Sequence, residues 1–173
     1  TKTATGTVTA DDHITSAMIR LAVAKLRANA APGKIGDLYL GLIHPLVSLD
    51  LRTESGSGGF QDLHKYNATD VFFPGLIGQY EGVGWIESGR CPVIAGGDGG
   101  DSGSDADNDY CSFILGKEAL AEAVVVEPHV EIGVVADRLN RFYPIGWTGM
   151  LGWSIFRQAC LYRLESGSSA DPQ

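Results

Sequence analysis

The side chains best equipped for chemistry sit close together, in AGGDGGDSGSDADNDY, residues 95–110. Gly100-Asp101-Ser102-Gly103 are the letters that surround a serine-protease nucleophile. Asp105, Asp107 and Asp109 recur at every second position, as ligands do in calcium loops. Gly96-Gly97-Asp98-Gly99-Gly100-Asp101 spells one copy of a calcium-binding β-roll repeat.

Each of these chemistries needs partners. A serine nucleophile requires a histidine base and an orienting acid within hydrogen-bond reach. The upstream candidates are His13, His44 and His64, with Asp70 as the acid. His44 runs straight into Pro45, and His64 falls in a short amphipathic stretch, so neither has the setting of a catalytic base. An EF-hand loop starting at Asp105 puts Tyr110 where glycine belongs and Gly116 where the bidentate glutamate belongs. Starting at Asp107 places Glu118 correctly but sets Cys111 and Ser112 at a ligand and the glycine. A β-roll binds metal between stacked turns, and one copy does not stack. Asp98, Asp101, Asp105, Asp107 and Asp109 therefore stand as weak divalent-ion candidates. The reading that prevails is a solvated Gly/Ser/Asp loop over 92–109. His129 follows Pro128 and has no second ligand at metal spacing. No phosphate loop or dinucleotide fingerprint occurs. The sequence thus assigns no catalytic residue, no cofactor and no obligatory metal.

The bulk properties narrow the field further. Thirteen Lys and Arg against 21 Asp and Glu give a net charge of −8. Phosphate backbones and anionic membrane surfaces both select basic proteins, so direct nucleic-acid readout and membrane binding are disfavoured. No apolar run reaches the roughly 18 residues of a membrane span. With 173 residues, 44% of them hydrophobic, the chain can bury a core. Cys91, Cys111 and Cys160 include no CxxC pair, which argues for free thiols and cytosolic synthesis.

Several elements must position whatever the chain does. A helix is expected over 10–29, capped by Thr9, with Asp11 and Asp12 in its first turn. Ile14, Ala17, Met18, Leu21, Ala24 and Ala28 would form its buried stripe. Lys25 breaks that stripe and would have to run its stem along the core. DLYLGLIHP, 37–45, is apolar on both faces and reads as an interior strand ended by Pro45. Residues 60–66 read as a short helix, 80–88 and 110–116 as strands, and 117–123 as one or two helical turns. VVVE and VEIGVVA read as separate strands. In IGWTGMLGWSI, 145–155, alternation puts Ile145, Trp147, Leu151, Trp153 and Ile155 on one face. That face is expected to bury both tryptophans in the core. Residues 159–165 form a last strand before the tail, 166–173.

A resemblance joins these pieces. VTADDHITSAMIRLAVAKLRANAAPGKIGDLYLGLIHPLVSLDL is followed in order by FPGLIGQYEGVGWIES, ILGKEALAEAVV and ADRLNRFYPIGWTGMLGWSIFRQACLYRLE. Together, over residues 7–165, they resemble the major capsid (coat) proteins of tailed phages, in particular the coliphage N-four-like family. Asp137-Arg138-Leu139-Asn140 and Gly146-Trp147-Thr148 match that family's closing strand pair, with Arg138 in place of proline and Thr148 in place of lysine. The resemblance implies an α+β chain with the Hong Kong 97-like capsid fold. Residues 9–66 would supply the spine helix and a peripheral-domain portion. Residues 70–150 would form an axial domain, and 151–165 would return to the periphery. The N-terminal arm and extended hairpin of the family have no counterpart here, so the chain looks like a C-terminal portion. The implied function is a structural virion protein, made in the host cytoplasm, that tiles an icosahedral shell. The implied partners are other copies, as hexamers and pentamers, with the packaged genome contacted only indirectly. By itself the chain is expected to stay a monomer or small oligomer. The alternative from the residues alone is a calcium-dependent binding module built on loop 96–109.

Overall fold

A computed structural model describes residues 12–54, 76–94, 108–134, 139 and 141–170. The expected helix at 60–66 and most of the Gly/Asp loop lie outside the described residues. The chain divides into two compact units, Thr1–Ala119 with Gln158–Gln173, and Leu120–Arg157.

In the first unit, helix α1 spans Ser16–Ala28. It begins six residues later than the sequence suggested, because the carboxylate that caps it is distant. Glu54 accepts the Ser16 backbone N–H at 3.2 Å and the Ser16 hydroxyl at 3.1 Å. A carboxylate there satisfies an orphan donor and complements the helix dipole. Thr15, at the N-cap, makes no side-chain capping bond. The helix closes through Ala30, whose left-handed φ of 50° lets the Ala31 N–H reach the Leu26 carbonyl at 3.0 Å.

The buried stripe of α1 is Ile19, Ala22, Val23 and Leu26, and Leu21, Ala24 and Ala28 are exposed. Of the expected stripe, Ile14 is buried and Met18 packs against the core, whereas Ala17, Leu21, Ala24 and Ala28 face outward. Lys25, its anomaly, lies on the outer side, where its Nζ is 3.1 Å from the Tyr162 hydroxyl and over the Tyr162 ring. One charged residue inside an alanine-rich stripe was the signal that the face had been chosen wrongly.

Strand β1, Tyr39–Ile43, leads directly into helix α2, Pro45–Thr53. Pro45 occupies the first helical turn, where its missing N–H costs nothing. The His44 Nδ1 accepts from the Leu46 N–H at 3.3 Å. The proline thus ends the strand, as expected, and also starts a helix that alternation had not revealed.

The sheet of this unit also contains β2 (Leu76–Tyr80), β3 (Val83–Glu87), β4 (Val93–Ile94), β5 (Asp109–Leu115) and β8 (Leu161–Ser166). Its order is β2-β3-β1-β5-β4, with β8 also paired to β5. β1 lies between β3, to which it is parallel, and β5, to which it is antiparallel. Its double-sided apolar sequence suits that interior place. A two-residue turn, Glu81-Gly82, joins β2 to β3, with both residues at positive φ. Arg20 of α1 donates to the Glu81 carboxylate at 2.9 Å and steadies the turn.

One apolar cluster unites the two helices and the sheet, through Ile19 and Leu26 of α1, Val47 and Leu51 of α2, and Tyr39, Ile43, Val83, Trp85 and Ile114 of the strands. Gly41 sits opposite Trp85 in the β1–β3 register. A Cβ built on Gly41 would lie 2.5 Å from the indole and 2.7 Å from a Val83 methyl. The glycine is there because the indole needs its space.

The second unit is a two-stranded ribbon, β6 (Leu120–Ile132) and β7 (Ile145–Ile155). β7 matches the expected strand at both ends. Residues 117–123 do not form helical turns: 117–119 turn and β6 begins at Leu120. VVVE and VEI, expected as separate strands, belong to this one strand, interrupted by two register shifts between Val124 and His129.

Candidate functional site

Among the described residues, those singled out for chemistry do not converge. Asp98, Asp101, Ser102, Asp105, Asp107, His64 and Asp70 lie outside the described residues. Asp109 is the first residue of β5 and is fully buried, so it belongs to the sheet and not to a solvated loop. His13 Nδ1 lies 3.7 Å from an Asp50 oxygen, and the Ser169 hydroxyl and N–H also bond Asp50. In that group the serine bonds the acid and not the imidazole. It fastens the chain near residue 169 to α2 and leaves no activated nucleophile. His44 is occupied as the α2 cap and packs against the Tyr110 ring. Among the described residues, no three His, Cys, Asp or Glu side chains gather to hold a metal. Burial pushes the Cys91 and Cys111 thiols up, Cys91 further through the neighbouring Cys111, which leaves both in the unreactive thiol form.

The feature that stands out is the ribbon. Side chains directly opposite in an antiparallel pair share a face. The register pairs Leu120 with Ile155, Val124 with Leu151, Val130 with Trp147 and Ile132 with Ile145. Glu122, opposite Trp153, is the one charge among the paired residues of that face. The two register shifts insert two extra residues in β6, an even number, so alternation resumes on the same side. Gly149 lies between the tryptophans, and a Cβ there would sit 3.1 Å from Pro128. The glycine lets the proline close up against β7, so Pro128 fills the space that a side chain at 149 would take. The reverse face pairs Ala121 with Ser154, Ala123 with Gly152, His129 with Thr148 and Glu131 with Gly146. Val126 pairs with Met150 on that face too, and its other pairs are small or polar.

The tryptophans share one face, as alternation requires, but they are not in a core. Trp147 is 69% and Trp153 68% exposed. A two-stranded ribbon has one layer and cannot bury a face by itself. Soluble monomers rarely expose apolar patches beyond a few hundred Å2, and larger ones mark interaction sites.

On the reverse face, the His129 Nδ1 donates to the Glu127 carbonyl at 2.8 Å and Nε2 to Glu131 at 3.1 Å. Both ring nitrogens therefore donate, which selects the imidazolium. The Glu127 carbonyl first, and the Glu131 carboxylate second, raise this group above its ordinary 6.5. A raised folded value means the contribution is complete below the unfolded value and fades as pH rises through the folded one. An NMR titration of His129 should show a midpoint above 6.5. Glu131→Gln should lower that midpoint. No change on that substitution would contradict the pairing.

The described residues thus combine an α+β unit with an exposed apolar ribbon. The phage capsid protein family matches residues 1–155. The chain belongs to that family. Its fold is similar to the capsid of Ralstonia phage GP4, with TM-score 0.70 and 16% identity over 99% of this chain and 52% of that one. It is also similar to the capsid structure of Cyanophage P-SCSP1u, with TM-score 0.51 and 13% identity over 89% of this chain and 46% of that one. The chain thus spans about half the length of the structures it matches. No curated protein matches it.

Proposed function

We propose that this chain is part of a major capsid subunit that tiles an icosahedral shell around a phage genome, without a catalytic step. The observation that carries this reading is the uncovered apolar face of the β6–β7 ribbon. A surface of that kind is stable in water only when it meets another apolar surface. The finer assignments belong to the same proposal. The subunit is of the coliphage N-four-like kind with a Hong Kong 97-like fold, and copies meet as hexamers and pentamers. Residues 9–66 and 151–165 contribute to the peripheral domain and 70–150 to the axial domain. Synthesis is in the host cytoplasm, and the acidic chain touches the packaged genome only indirectly. The calcium-module alternative draws no support from the described residues. Immunogold electron microscopy of phage-producing cells, with antibody raised against this chain, tests the reading. Gold over phage heads is expected. Gold confined to tails, or to host structures free of particles, would overturn it.

A further inference from the structure

We propose that Asp50 of α2 is a latch. It holds the segment that leads into α1, residues 12–13, and the segment that follows β8, residues 167–170, so that the two open and close as one piece. The proposal concerns the first unit alone and does not rest on the capsid reading. Asp50 accepts the Ser169 N–H at 3.1 Å on one carboxylate oxygen and the Ser169 hydroxyl on the other. The Asp50 side chain is only 5% exposed, and a buried carboxylate is costly to keep without donors. Lifting residue 169 away would strand that charge, and removing the charge would free residue 169. The entering segment meets the same group. The His13 Nδ1 lies 3.7 Å from Asp50, and no hydrogen-bond partner reaches that nitrogen. Glu54 stands four residues after Asp50, on the same side of the helix, and fixes Ser16 at the start of α1. It thereby carries the entering chain across Asp50. The two segments also bond each other. The Gly167 N–H donates to the Asp12 carbonyl at 3.1 Å, and neither group of that bond belongs to α2. Ile14 and Ser166, next to the latched segments, are buried in the unit and limit the opening to the segments themselves.

Amide hydrogen exchange of the 173-residue chain, read residue by residue by NMR, is the test. Asp50→Asn keeps the shape of the side chain and removes its charge. It should speed exchange of the Ser169 amide, which bonds Asp50, and of the Gly167 amide, which does not. Each should quicken by about tenfold or more, as loss of a hydrogen bond to a charged group does. The Val23 amide, inside α1, should keep its parental rate. Ser169→Ala removes only the hydroxyl contact and should speed Gly167 severalfold, which keeps the test decisive if Asp50→Asn fails to fold. An unchanged Gly167 amide in a folded variant would overturn the proposal, because the two segments would then be held independently. Equal acceleration at Val23 would also overturn it, because the opening would be global. Either failure leaves the capsid reading standing, since labelling of phage heads does not depend on the latch.

Discussion

Trp85→Ala should lower the stability of the first unit by about 3–5 kcal/mol. The indole is 1% exposed and sits where β3 meets β1, inside the cluster that joins the sheet to both helices. Its removal leaves a void that the surrounding Ile43, Leu51 and Val83 cannot fill without moving backbone. Trp147→Ala and Trp153→Ala, in a dilute monomeric sample, should each change stability by less than about 1 kcal/mol, because those rings are mostly in water. Urea unfolding followed by far-UV circular dichroism measures all three. Equal losses at the three positions would mean that the ribbon is packed within the chain, and the account of its exposed face would fail.

Gly41→Val should be nearly as damaging, at about 1–3 kcal/mol or more, through overpacking. The added side chain would enter the indole of Trp85 and the methyl of Val83 at well under contact distance. Neither neighbour can swing aside, since both are fully buried. Loss from a clash can be told from loss of glycine's flexibility by a second change. Gly41→Val combined with Trp85→Leu should recover part of the stability, because the leucine vacates space. A double variant no better than the two single losses added together would contradict the steric explanation.

Strands with strong alternation or double-sided apolar character were readable. IGWTGMLGWSI gave β7 end to end, and DLYLGLIHP gave an interior strand. What alternation cannot state is whether the face it defines is covered. Trp147 and Trp153 were read into a core because large apolar residues on one face normally lie in one; the same pattern serves equally for a face that waits for a partner. The β6 strand was obscured for a related reason. KEALAEA has helix-forming residues, and its pairing with β7 is long-range, so local propensity pointed the wrong way. The two extra residues between Val124 and His129 then broke the period that would have corrected it.

The start of α1 failed through distance in sequence. Thr9 followed by two aspartates is a good local cap, yet the carboxylate that caps the helix, Glu54, is 38 residues from Ser16. The chemical loop shows the opposite case. The protease and EF-hand readings can be weighed by counting ligand positions in the sequence, because those chemistries need particular residues at fixed spacings. An interface has no such fixed spacing. Its only sequence mark here was a run of apolar alternation flanked by glycines.

Quantitative mass spectrometry of intact, gradient-purified virions tests the central claim most directly. If the chain is a shell subunit, the tryptic peptide covering 118–138, which contains β6, should be recovered in large molar excess over peptides of every tail protein. Recovery of that peptide from the lysate but not from virions, or at the copy number of a tail component, would contradict it.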